Sequence, residues 1–431
     1  MAVKDLKATV HTLGCRLNQS ESSIMEKSLE NQGYSLVPFK EDSDLAIINT
    51  CTVTARADSD CRHVIRNYIK RNPYAFVAVV GCYSQMGYKV LADIKGVDVI
   101  MGNQDKLDIV NYIKQGKNDK PLILRDRIVR DDFTIDYIGQ SDSHTRANLK
   151  IQDGCDFMCT FCIIPMARGR ARSRDLENLL TEAKQLADQG FKEIILTGVN
   201  IGTYDNSGAT VLEVCDKLNE IDGIERIRIS SIEPTTIPEE LFDRMNDKTH
   251  KLVPYLHIPL QSGSDKVLEI MKRKYNTQEY LDFINMANDK VEDLCIGTDV
   301  MVGMCGENDD EFETTCNFLI NSPVCYFHVF SYSERPGTAS VKMDEKVDPQ
   351  TIKRRSAVLR SISERKKLEY YEKFIDREVE VLFETGDEGY WTGYTDNYIR
   401  VSVASEDSLQ NQLRKVKLIE TAADFVMGEL L

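Results

Sequence analysis

Three cysteines stand within eight residues in the segment Cys155-Asp-Phe-Met-Cys159-Thr-Phe-Cys162. Three thiolates at this spacing can hold three corners of a cubane iron–sulfur cluster, and the missing fourth thiolate leaves one iron open. An open iron can bind the amino and carboxylate groups of S-adenosylmethionine, which an electron from the cluster then cleaves to a deoxyadenosyl radical. The alternative is a structural zinc site, but zinc needs a fourth ligand, and no cysteine or histidine follows nearby.

Cys15, Cys51 and Cys82 are far apart, but each follows a short apolar run, in ATVHTLGC, LAIINTC and FVAVVGC. If these runs are parallel strands, their carboxyl ends form one crevice, where open α/β sheets bind ligands. Three thiolates there would converge on a second cluster with an open iron, and Gly14 and Gly81 would let the backbone turn close to it. The alternative is three buried core cysteines, and spacing alone leaves both interpretations open.

The remaining cysteines lack this placement. Cys61 lies inside a predicted helix, so we exclude it from the second site. Cys305 follows a strand end and is not assigned. The others lie in helix or strand patterns typical of a core: Cys215, Cys295, Cys316 and Cys325.

The first 120 residues alternate apolar runs with helical patterns. Residues 8–12, 45–49, 76–80 and 97–101 predict strands, and residues 19–32, 57–71 and 84–94 predict helices. This alternation predicts a doubly wound parallel sheet, which would bring the three spaced cysteines to one edge. Residues 117–143 are polar and predict a linker with one edge strand at 121–124.

The segment from about residue 145 to 345 alternates in the same way. Strands are predicted at residues 149–152, 193–197, 226–232, 255–259, 296–302 and 326–332, and residues 176–189 predict an amphipathic helix that ends at Gly190. Six strand–helix units predict a partial (βα)6 barrel. The three-cysteine loop follows the first strand and would therefore lie at the C-terminal face, where such barrels keep their active sites.

The last part begins with a long polar helix predicted at residues 351–374. Short strands are predicted at residues 378–383, 398–403 and 415–420. Short strands separated by turns indicate a small β-barrel of the OB kind.

The bulk composition of the 431 residues is that of an ordinary globular protein, with 42% apolar and 29% charged residues. The N-terminus lacks an apolar h-region, and no run approaches the roughly 18 apolar residues that span a bilayer. We therefore predict a cytoplasmic protein without membrane binding, whose twelve cysteines do not form disulfides. The net charge of −15 argues against a generally basic nucleic-acid binder but allows a local basic face.

The sequence resembles the methylthiotransferase branch of the radical S-adenosylmethionine enzymes over nearly its whole length. The resemblance rests on TLGCRLNQSES, NTCTVT, the GC at Cys82, CDFMCTFC, IPMARGRARSR, LTGVNIGTY, RISSIEP and HIPLQSGSDKVLEIMKRKY. The C-terminal EVEVLFE and GYTDNYIRV resemble the TRAM module, a small β-barrel associated with RNA binding. One departure is Val302-Gly-Met-Cys305-Gly-Glu-Asn308 where the family usually has VGFPGET, which changes the expected loop and adds the Cys305 thiol.

The resemblance implies three domains: a methylthiotransferase domain at residues 1–120, a radical S-adenosylmethionine core at 141–366 and a TRAM-like RNA-binding domain at 367–431. It also implies two [4Fe-4S] clusters. The catalytic, radical-generating cluster would be held by Cys155, Cys159 and Cys162, and an auxiliary cluster would be held by the metal ligands Cys15, Cys51 and Cys82.

Candidate contacts for S-adenosylmethionine lie near the carboxyl ends of the predicted barrel strands, as the barrel geometry requires. They are Thr197, Gly198, Ser231, Glu233, His257 and Gln261. Ordinary interpretations remain open at this stage, because His257 fits a core histidine and Glu233 fits a turn residue before Pro234.

The family inserts a methylthio group at an unactivated C–H bond, where acid–base catalysis is of little use and a radical is needed. The subfamily that the sequence most resembles acts on N6-threonylcarbamoyladenosine beside the tRNA anticodon. The alternatives are isopentenyladenosine in tRNA and an aspartate of a ribosomal protein. The expected partners are the tRNA anticodon loop and an electron donor such as flavodoxin or ferredoxin, and the expected state is a monomer.

Two basic stretches and one aromatic group are candidate RNA contacts. The first stretch follows the cluster loop and contains Arg168, Arg170, Arg172 and Arg174. The second lies on the long helix and contains Lys353, Arg354, Arg355, Arg360, Arg365, Lys366 and Lys367, although a solvated helix face explains it equally well. The aromatic residues are Tyr390, Trp391, Tyr394 and Tyr398, and some of them must belong to the core of the last domain.

Overall fold

The computed structural model describes residues 6–113, 117–136 and 145–431. Part of the predicted linker, residues 137–143, lies outside the described residues, as do residues 1–5. The domain boundaries named above stay predictions, while the order of the secondary-structure elements is described below.

The N-terminal part is a parallel sheet. Its strands are β1 Lys7–Thr12, β2 Ser35–Leu36, β3 Leu45–Thr50, β4 Phe76–Gly81, β5 Val99–Met101 and β6 Leu122–Leu124, in the order β2-β1-β3-β4-β5-β6. Its helices are α1 Arg16–Asn31, α2 Ala55–Arg71 and α3 Cys82–Ala92, with a 3-10 helix at Lys106–Tyr112. Strand β6 is the predicted edge strand, and its pairing with β5 confirms that prediction.

Helices cover both faces of this sheet. Met25 and Leu29 of α1 pack with Ile109 on one face, and Ile65 of α2 packs with Leu91 of α3 on the other. Every side chain of β3 and β4 is buried, which explains their continuous apolar sequences, because strands covered on both faces need no polar side. The predicted doubly wound sheet is confirmed.

The central part contains six parallel strands, which form its two three-stranded sheets, and four shorter strands. The strands are β7 Arg146–Lys150, β8 Gln152–Asp153, β9 Arg172–Ser173, β10 Glu193–Thr197, β11 Asp205–Asn206, β12 Ala209–Thr210, β13 Arg226–Ile229, β14 Tyr255–His257, β15 Cys295–Val302 and β16 Tyr326–Ser331. The helices are α4 Ile164–Arg168, α5 Leu176–Asp188, α6 Val211–Asn219, α7 Glu240–Asn246, α8 Asp265–Met271, α9 Thr277–Lys290, α10 Asp309–Asn321 and α11 Pro349–Glu372.

The six parallel strands form two sheets that meet. One sheet has the order β13-β10-β7 and the other β14-β15-β16, and a parallel bridge between Ile227 and Leu252 links them. The helices lie outside this curved surface, and one continuous apolar core fills it. This arrangement confirms the predicted partial (βα)6 barrel.

The C-terminal part is a closed barrel in the order β17-β18-β19-β21-β20. The strands are β17 Glu378–Asp387, β18 Tyr390–Thr395, β19 Arg400–Ala404, β20 Leu413–Thr421 and β21 Val426–Leu430. The sequence predicted a barrel with three strands and missed β18 and β21. Each contains a glycine where two backbones approach closely: a Cβ on Gly393 would lie 2.2 Å from the Leu382 carbonyl oxygen, and one on Gly428 would lie 3.2 Å from that of Lys417. Glycine weakens the strand pattern in a sequence.

Two arginines of β13 fasten this barrel to the central part. Arg226 donates to the carbonyl oxygens of Tyr394 at 3.0 Å and Glu380 at 2.9 Å. Arg228 donates to the Asp396 carbonyl oxygen at 2.7 Å and pairs with Glu193 at 2.6 Å. The C-terminal barrel is therefore joined to the central part by buried guanidinium groups that reach backbone acceptors.

Tyr394 and Tyr398 belong to this interface, so these two of the four aromatic residues have a structural role, as expected for some of them. The Tyr398 ring stacks on Tyr394 at 4.9 Å and packs against Tyr255 at 4.7 Å, and its hydroxyl accepts a hydrogen bond from Arg16 at 3.1 Å. Tyr390 is about half exposed. Across the three described ranges, every helix is too short or too polar to span a bilayer.

Candidate functional site

The sheet brings Cys15, Cys51 and Cys82 together at its carboxyl edge. Cys15 is the N-cap of α1, Cys51 follows β3 and Cys82 begins α3. Strands β1, β3 and β4 are neighbours, so the three cysteines leave adjacent strands about 5 Å apart. Burial raises the pKa of the Cys51 thiol to about 11, and the nearby Cys82 and Cys15 contribute to this rise. The Cys51 thiol therefore lies close to the other two cysteines.

Two glycines make room for this meeting, as the sequence predicted. Gly14 has φ +115°, and a Cβ there would lie 2.8 Å from Cβ of Cys51. Gly81 has φ +97°, and a Cβ there would lie 2.8 Å from the Thr50 carbonyl oxygen. Both positions combine a left-handed backbone with a close contact, so only glycine fits them without movement.

Two asparagines that the sequence analysis missed hold these loops. Asn18 donates to the carbonyl oxygens of Leu13 at 2.8 Å and Thr50 at 3.1 Å. Asn103 donates to Sγ of Cys82 at 3.4 Å and to the Ala167 carbonyl oxygen at 2.7 Å. Neither residue stands out in the sequence, because Thr50, Cys82 and Ala167, which accept from them, are distant along the chain. Asn103 also spans the gap from the sheet to the central part.

Cys155, Cys159 and Cys162 lie on the loop between β8 and α4, at the C-terminal face of the partial barrel. Burial raises the pKa of Cys155 to about 11 and that of Cys162 to about 12, and the neighbouring Cys159 raises both. The Phe157 amide donates to Sγ of Cys155 at 3.3 Å. The loop therefore gathers three thiols in a partly buried hollow and supplies an N–H donor to sulfur.

Arg273 is a further member of this site that the sequence analysis missed. Its Nη1 donates to Sγ of Cys159 at 3.3 Å, and its Nη2 donates to the carboxylate of Glu233 and to the Tyr275 hydroxyl. Burial raises the pKa of Glu233, and Arg273 counteracts that rise. The guanidinium thus connects a cluster-loop thiol to a predicted cofactor contact.

Comparisons with known proteins agree with this geometry. The Radical SAM superfamily matches residues 149–319, and "Uncharacterized protein family UPF0004" matches residues 7–102. Threonylcarbamoyladenosine tRNA methylthiotransferase MtaB of Bacillus subtilis (strain 168) is 37% identical, over 98% of this chain and 95% of its own length. The chain belongs to the radical S-adenosylmethionine methylthiotransferase family.

Two further matches have lower sequence identity. The tRNA-2-methylthio-N(6)-dimethylallyladenosine synthase of Thermoanaerobacter sp. (strain X514) is 31% identical over 99% of this chain and 93% of its own length. The solved structure of the radical S-adenosylmethionine methyltransferase TsrM from Kitasatospora setae, with cobalamin and a [4Fe-4S] cluster bound, matches with a TM-score of 0.55 at 13% identity. That match covers 90% of this chain and 80% of TsrM and supports the fold alone.

As a radical S-adenosylmethionine methylthiotransferase, the protein uses an iron–sulfur cluster and S-adenosylmethionine. The donor sets of both cysteine trios fit such a cluster. Each trio offers three thiols, and each has an N–H group directed at a sulfur, from Asn103 in one site and from Phe157 and Arg273 in the other. Hydrogen bonds to cluster sulfurs tune the reduction potential. Among the described residues, no three His, Cys, Asp or Glu side chains are placed to hold a single metal ion.

The methylthiotransferase has its predicted cofactor contacts near the carboxyl ends of the barrel strands. The Thr197 hydroxyl donates back to the Ile195 carbonyl oxygen at 3.0 Å. Gly198 lies so close to Gln152 that a Cβ would meet its Oε1 at 2.9 Å. The Ser231 carbonyl oxygen accepts the Ile201 amide at 3.3 Å. These residues shape the end of the barrel, and their contact with S-adenosylmethionine stays a prediction.

His257 and Gln261 are tied to the neighbouring strand β15. Nε2 of His257 lies 3.1 Å from a carboxylate oxygen of Asp299, so the histidine has an acidic partner and is not a plain core residue. Gln261 adopts φ +72°, and its backbone N–H donates a hydrogen bond to the Asp299 carbonyl oxygen at 2.8 Å. Together with Glu233, these residues line the same end of the barrel.

A cluster of six buried ionic side chains joins the N-terminal sheet to the barrel. We call it the buried ionic cluster, and it consists of Glu21, Lys106, Lys150, Asp153, Arg168 and Arg172. Arg168 lies 3.0 Å from both Glu21 and Asp153, and Lys150 lies 2.8 Å from Glu21. The cluster holds two more cations than carboxylates, and Arg168 reaches the N-terminal trio through its 2.6 Å hydrogen bond to Asn18.

The excess positive charge lies beside thiols that become anionic when they bind iron. Burial would lower the pKa of Arg168, but Cys82, Glu21 and Asp153 hold it well above its ordinary value. For the same reason, burial alone would raise the pKa of Glu21, yet Arg168, Lys106 and Lys150 hold it well below. Glu21 and Arg168 therefore stay ionised in the interior.

The burial of Arg168 and its neighbours corrects a prediction. Arg168, Arg172 and Arg174 are buried, and Arg174 pairs with Glu182, so their predicted role in binding phosphates is wrong. Arg170 alone of that stretch is exposed. On α11, Arg355 pairs with Glu307 at 2.8 Å and Lys366 donates to the Ser322 carbonyl oxygen at 2.8 Å. These two residues are buried as well and are not RNA contacts.

Two of the remaining thiols lie near the proposed cluster sites or in the altered loop, and both are buried. Cys61 is buried in α2, as predicted, and its thiol donates to the Cys51 carbonyl oxygen at 3.5 Å. Cys305 is buried and its thiol lies 3.8 Å from the Ser340 carbonyl oxygen. Its position in the altered loop therefore gives it a packing role.

Proposed function

We propose that this enzyme transfers a methylthio group to N6-threonylcarbamoyladenosine next to the anticodon of tRNA. The relative from Bacillus subtilis, 37% identical over nearly the whole chain, has this activity in its name. The structural observation that carries the proposal is the position of the two cysteine trios at one seam. Asn103 donates both to Sγ of Cys82 and to the backbone of Ala167, five residues beyond Cys162.

Cys155, Cys159 and Cys162 would hold the [4Fe-4S] cluster that binds S-adenosylmethionine, and Cys15, Cys51 and Cys82 would hold a second [4Fe-4S] cluster. When bound, the first cluster and S-adenosylmethionine supply a deoxyadenosyl radical, and the second supplies an open iron for the sulfur to be transferred. Three thiols per trio support this assignment, since each cubane would keep one iron free of a protein thiolate.

The protein's own residues would keep the two sites in register. The buried ionic cluster joins α1, which begins at Cys15, to the segment on either side of the cysteine loop, through Glu21 on one side and Asp153 and Arg168 on the other. A network of this kind fixes geometry because breaking any one pair leaves a buried charge uncompensated. A fixed spacing is required if a radical formed at one site is to be used at the other.

The cofactor would be oriented by the end of the barrel. Glu233 and Arg273 form a buried pair beside Cys159, and His257 pairs with Asp299. We propose that Thr197, Gly198, Ser231, Glu233, His257 and Gln261 contact S-adenosylmethionine. The pairs place one carboxylate and one imidazole where they can accept or donate hydrogen bonds to its polar groups.

The enzyme would bind the tRNA at its anticodon loop, whose unpaired bases can be splayed out of the stack without breaking base pairs. Lys353, Arg354, Arg360 and Arg365 are exposed on α11, and Tyr390 is half exposed on the C-terminal barrel, so these residues are candidates for backbone and base contacts. An electron donor such as flavodoxin or ferredoxin would reduce the first cluster, and we propose that the enzyme acts as a monomer.

The test is anaerobic incubation of reconstituted enzyme with S-adenosylmethionine, reductant and a tRNA that carries N6-threonylcarbamoyladenosine. Nucleoside mass spectrometry should show its 2-methylthio derivative, and the same transcript without the modification should give no product. Absence of the derivative from a tRNA that is shown to bind would contradict the proposal.

A further inference from the structure

A cavity of about 510 Å³ lies at the seam between the N-terminal sheet and α4. Three arginines line it, Arg125, Arg127 and Arg170, together with the apolar side chains of Ile128 and Met166. Asp126 is the one acidic residue of the lining. The cavity therefore combines a cationic rim with an apolar wall.

Its position relates it to both cysteine trios. Arg125 directly follows β6, so it lies on the carboxyl edge of the sheet that also carries Cys82. Only β5 separates β6 from β4, which corresponds to roughly 10 Å at ordinary strand spacing. On the other side, the carbonyl oxygen of Gly169, another lining residue, accepts the Cys155 amide at 3.1 Å.

A second contact leads from the cavity to the N-terminal trio. Gln85 lines the cavity, and its Oε1 accepts a hydrogen bond from the backbone N–H of Asn103 at 3.1 Å. Asn103 in turn donates to Sγ of Cys82. The cavity is therefore linked to Cys82 through the side chains of Gln85 and Asn103, and to Cys155 through the Gly169 carbonyl group.

The arginines have unused hydrogen-bonding capacity. Arg127 makes no hydrogen bond or ion pair with any residue that the structure describes. Arg170 is about half exposed, and its Nη1 makes only a long hydrogen bond of 3.5 Å to the Asp156 carbonyl oxygen, with the Asp156 carboxylate 3.7 Å away. Arg125 is fixed in place, since its Nε donates to the Gln85 carbonyl oxygen at 2.6 Å and its guanidinium stacks on the Tyr88 ring at 4.8 Å.

We propose that this cavity binds the carboxylate of the threonylcarbamoyl group, with Arg127 and Arg170 as its partners and Met166 and Ile128 against the aliphatic part. The inference rests on the proposed function and names the part of the site that selects the substrate. Guanidinium groups match a carboxylate in bidentate geometry. An isopentenyl group has no charge and would leave both guanidinium groups unpaired. Sites built to hydrogen-bond a polar group of the substrate reject analogues that lack this group.

The carboxylate of the modified base is favoured over a backbone phosphate by the shape and the wall of the cavity. Phosphates lie on the outside of the RNA and are bound by exposed basic surfaces that fix its register. Here the arginines surround a recess with the side chain of Met166, 37% exposed, on its wall. A recess that is both apolar and cationic fits a side chain that carries methyl, hydroxyl and carboxylate groups.

The experiment compares two anticodon stem-loop RNAs that differ only in the threonylcarbamoyl group on one adenosine. Reconstituted enzyme, Arg127→Ala, Arg170→Ala and the double variant are titrated by fluorescence anisotropy, and kcat/KM for methylthiolation is measured in parallel. The matched control is Arg66→Ala, which removes the same charge from the exposed face of α2.

We expect each single variant to bind the modified RNA about tenfold more weakly, as for one charge-assisted hydrogen bond lost, and the double variant to bind it more weakly still. Binding of the unmodified RNA should stay unchanged in all three variants, and Arg66→Ala should bind both RNAs as the unaltered enzyme does. An equal loss for both RNAs would assign the arginines to backbone phosphates and overturn the inference. So would unchanged affinity in an enzyme that methylthiolates the modified RNA. If the unaltered enzyme forms no methylthio product from the modified RNA, the proposed function itself is contradicted, and this inference falls with it.

Discussion

Arg273 donates a hydrogen bond from Nη1 to the sulfur of Cys159 at 3.3 Å. The same buried guanidinium pairs with Glu233, so one side chain contacts a proposed cluster ligand and a proposed cofactor contact. A positive charge and an N–H donor beside a cluster sulfur stabilise the reduced, more negative cluster.

Replacement of Arg273 should therefore lower the reduction potential of the central cluster. In Arg273→Gln we expect a shift on the order of 60 mV, equivalent to about 1.4 kcal/mol for a one-electron couple. The measurement is a redox titration followed by electron paramagnetic resonance, in a background that lacks the N-terminal trio so that one cluster is observed. The control is Arg244→Gln, which removes an arginine of α7 that pairs with Asp216 of α6, and it should leave the reduction potential unchanged. An unchanged reduction potential in Arg273→Gln would contradict the assignment.

The iron content tests the second cluster. Two cubanes require about eight irons per chain, so anaerobically reconstituted enzyme should bind about eight and the Cys15→Ala, Cys51→Ala, Cys82→Ala triple variant about four. Cys61→Ala is the control, because this buried thiol only donates to the Cys51 carbonyl oxygen, and it should keep the full load. A triple variant with the full load would remove the three cysteines from the list of ligands.

Glu21→Gln should destabilise the fold strongly. The carboxylate is fully buried and contacts Lys106, Lys150 and Arg168, and removing one partner of a buried pair costs about 3–5 kcal/mol. Urea unfolding measures the change. Glu30→Gln on the same helix removes an exposed partner of Lys27 and should cost under about 1 kcal/mol. Equal effects of the two substitutions would show that the buried ionic cluster does not support the seam.

Glu193 should contribute a pH-dependent part of stability. Burial would raise its pKa, but Arg228 and Arg146 hold the pKa at about 2, below the ordinary 4.5. Because the folded pKa is depressed, the stabilisation is present above pH 4.5 and is lost as the pH falls towards 2. The shift corresponds to roughly 3 kcal/mol. We expect Glu193→Gln to be less stable than the unaltered protein at pH 6, and the gap to narrow at pH 3; a gap independent of pH would contradict this.

The elements that bear the cysteines could be predicted because their signals are local. Strands β3 and β4 are covered on both faces, and their continuous apolar runs show it. The carboxyl ends of such strands must share an edge, so the convergence of Cys51 and Cys82 followed from the sheet. Gly14 and Gly81, which have positive φ, could be predicted as turn positions because each directly precedes a cysteine at the end of a predicted strand.

The buried ionic cluster could not be predicted, because its pairs join residues far apart in the sequence. Glu21 lies in a helix whose pattern gives no sign that its carboxylate is buried, and its partner Arg168 belongs to a run of arginines typical of a basic surface. Only the packing of α1 against the barrel turns both side chains inward. Arg273 was missed likewise, since its contact with Cys159 crosses from the end of α8 to another loop.

The most direct test of the account is a competition between substrates. Equal amounts of tRNA with N6-threonylcarbamoyladenosine and tRNA with isopentenyladenosine, together with ribosomal protein, are incubated with one preparation of reconstituted enzyme. The account predicts that mass spectrometry finds the methylthio group mainly on threonylcarbamoyladenosine. Product mainly on isopentenyladenosine, or on the ribosomal protein, would contradict it.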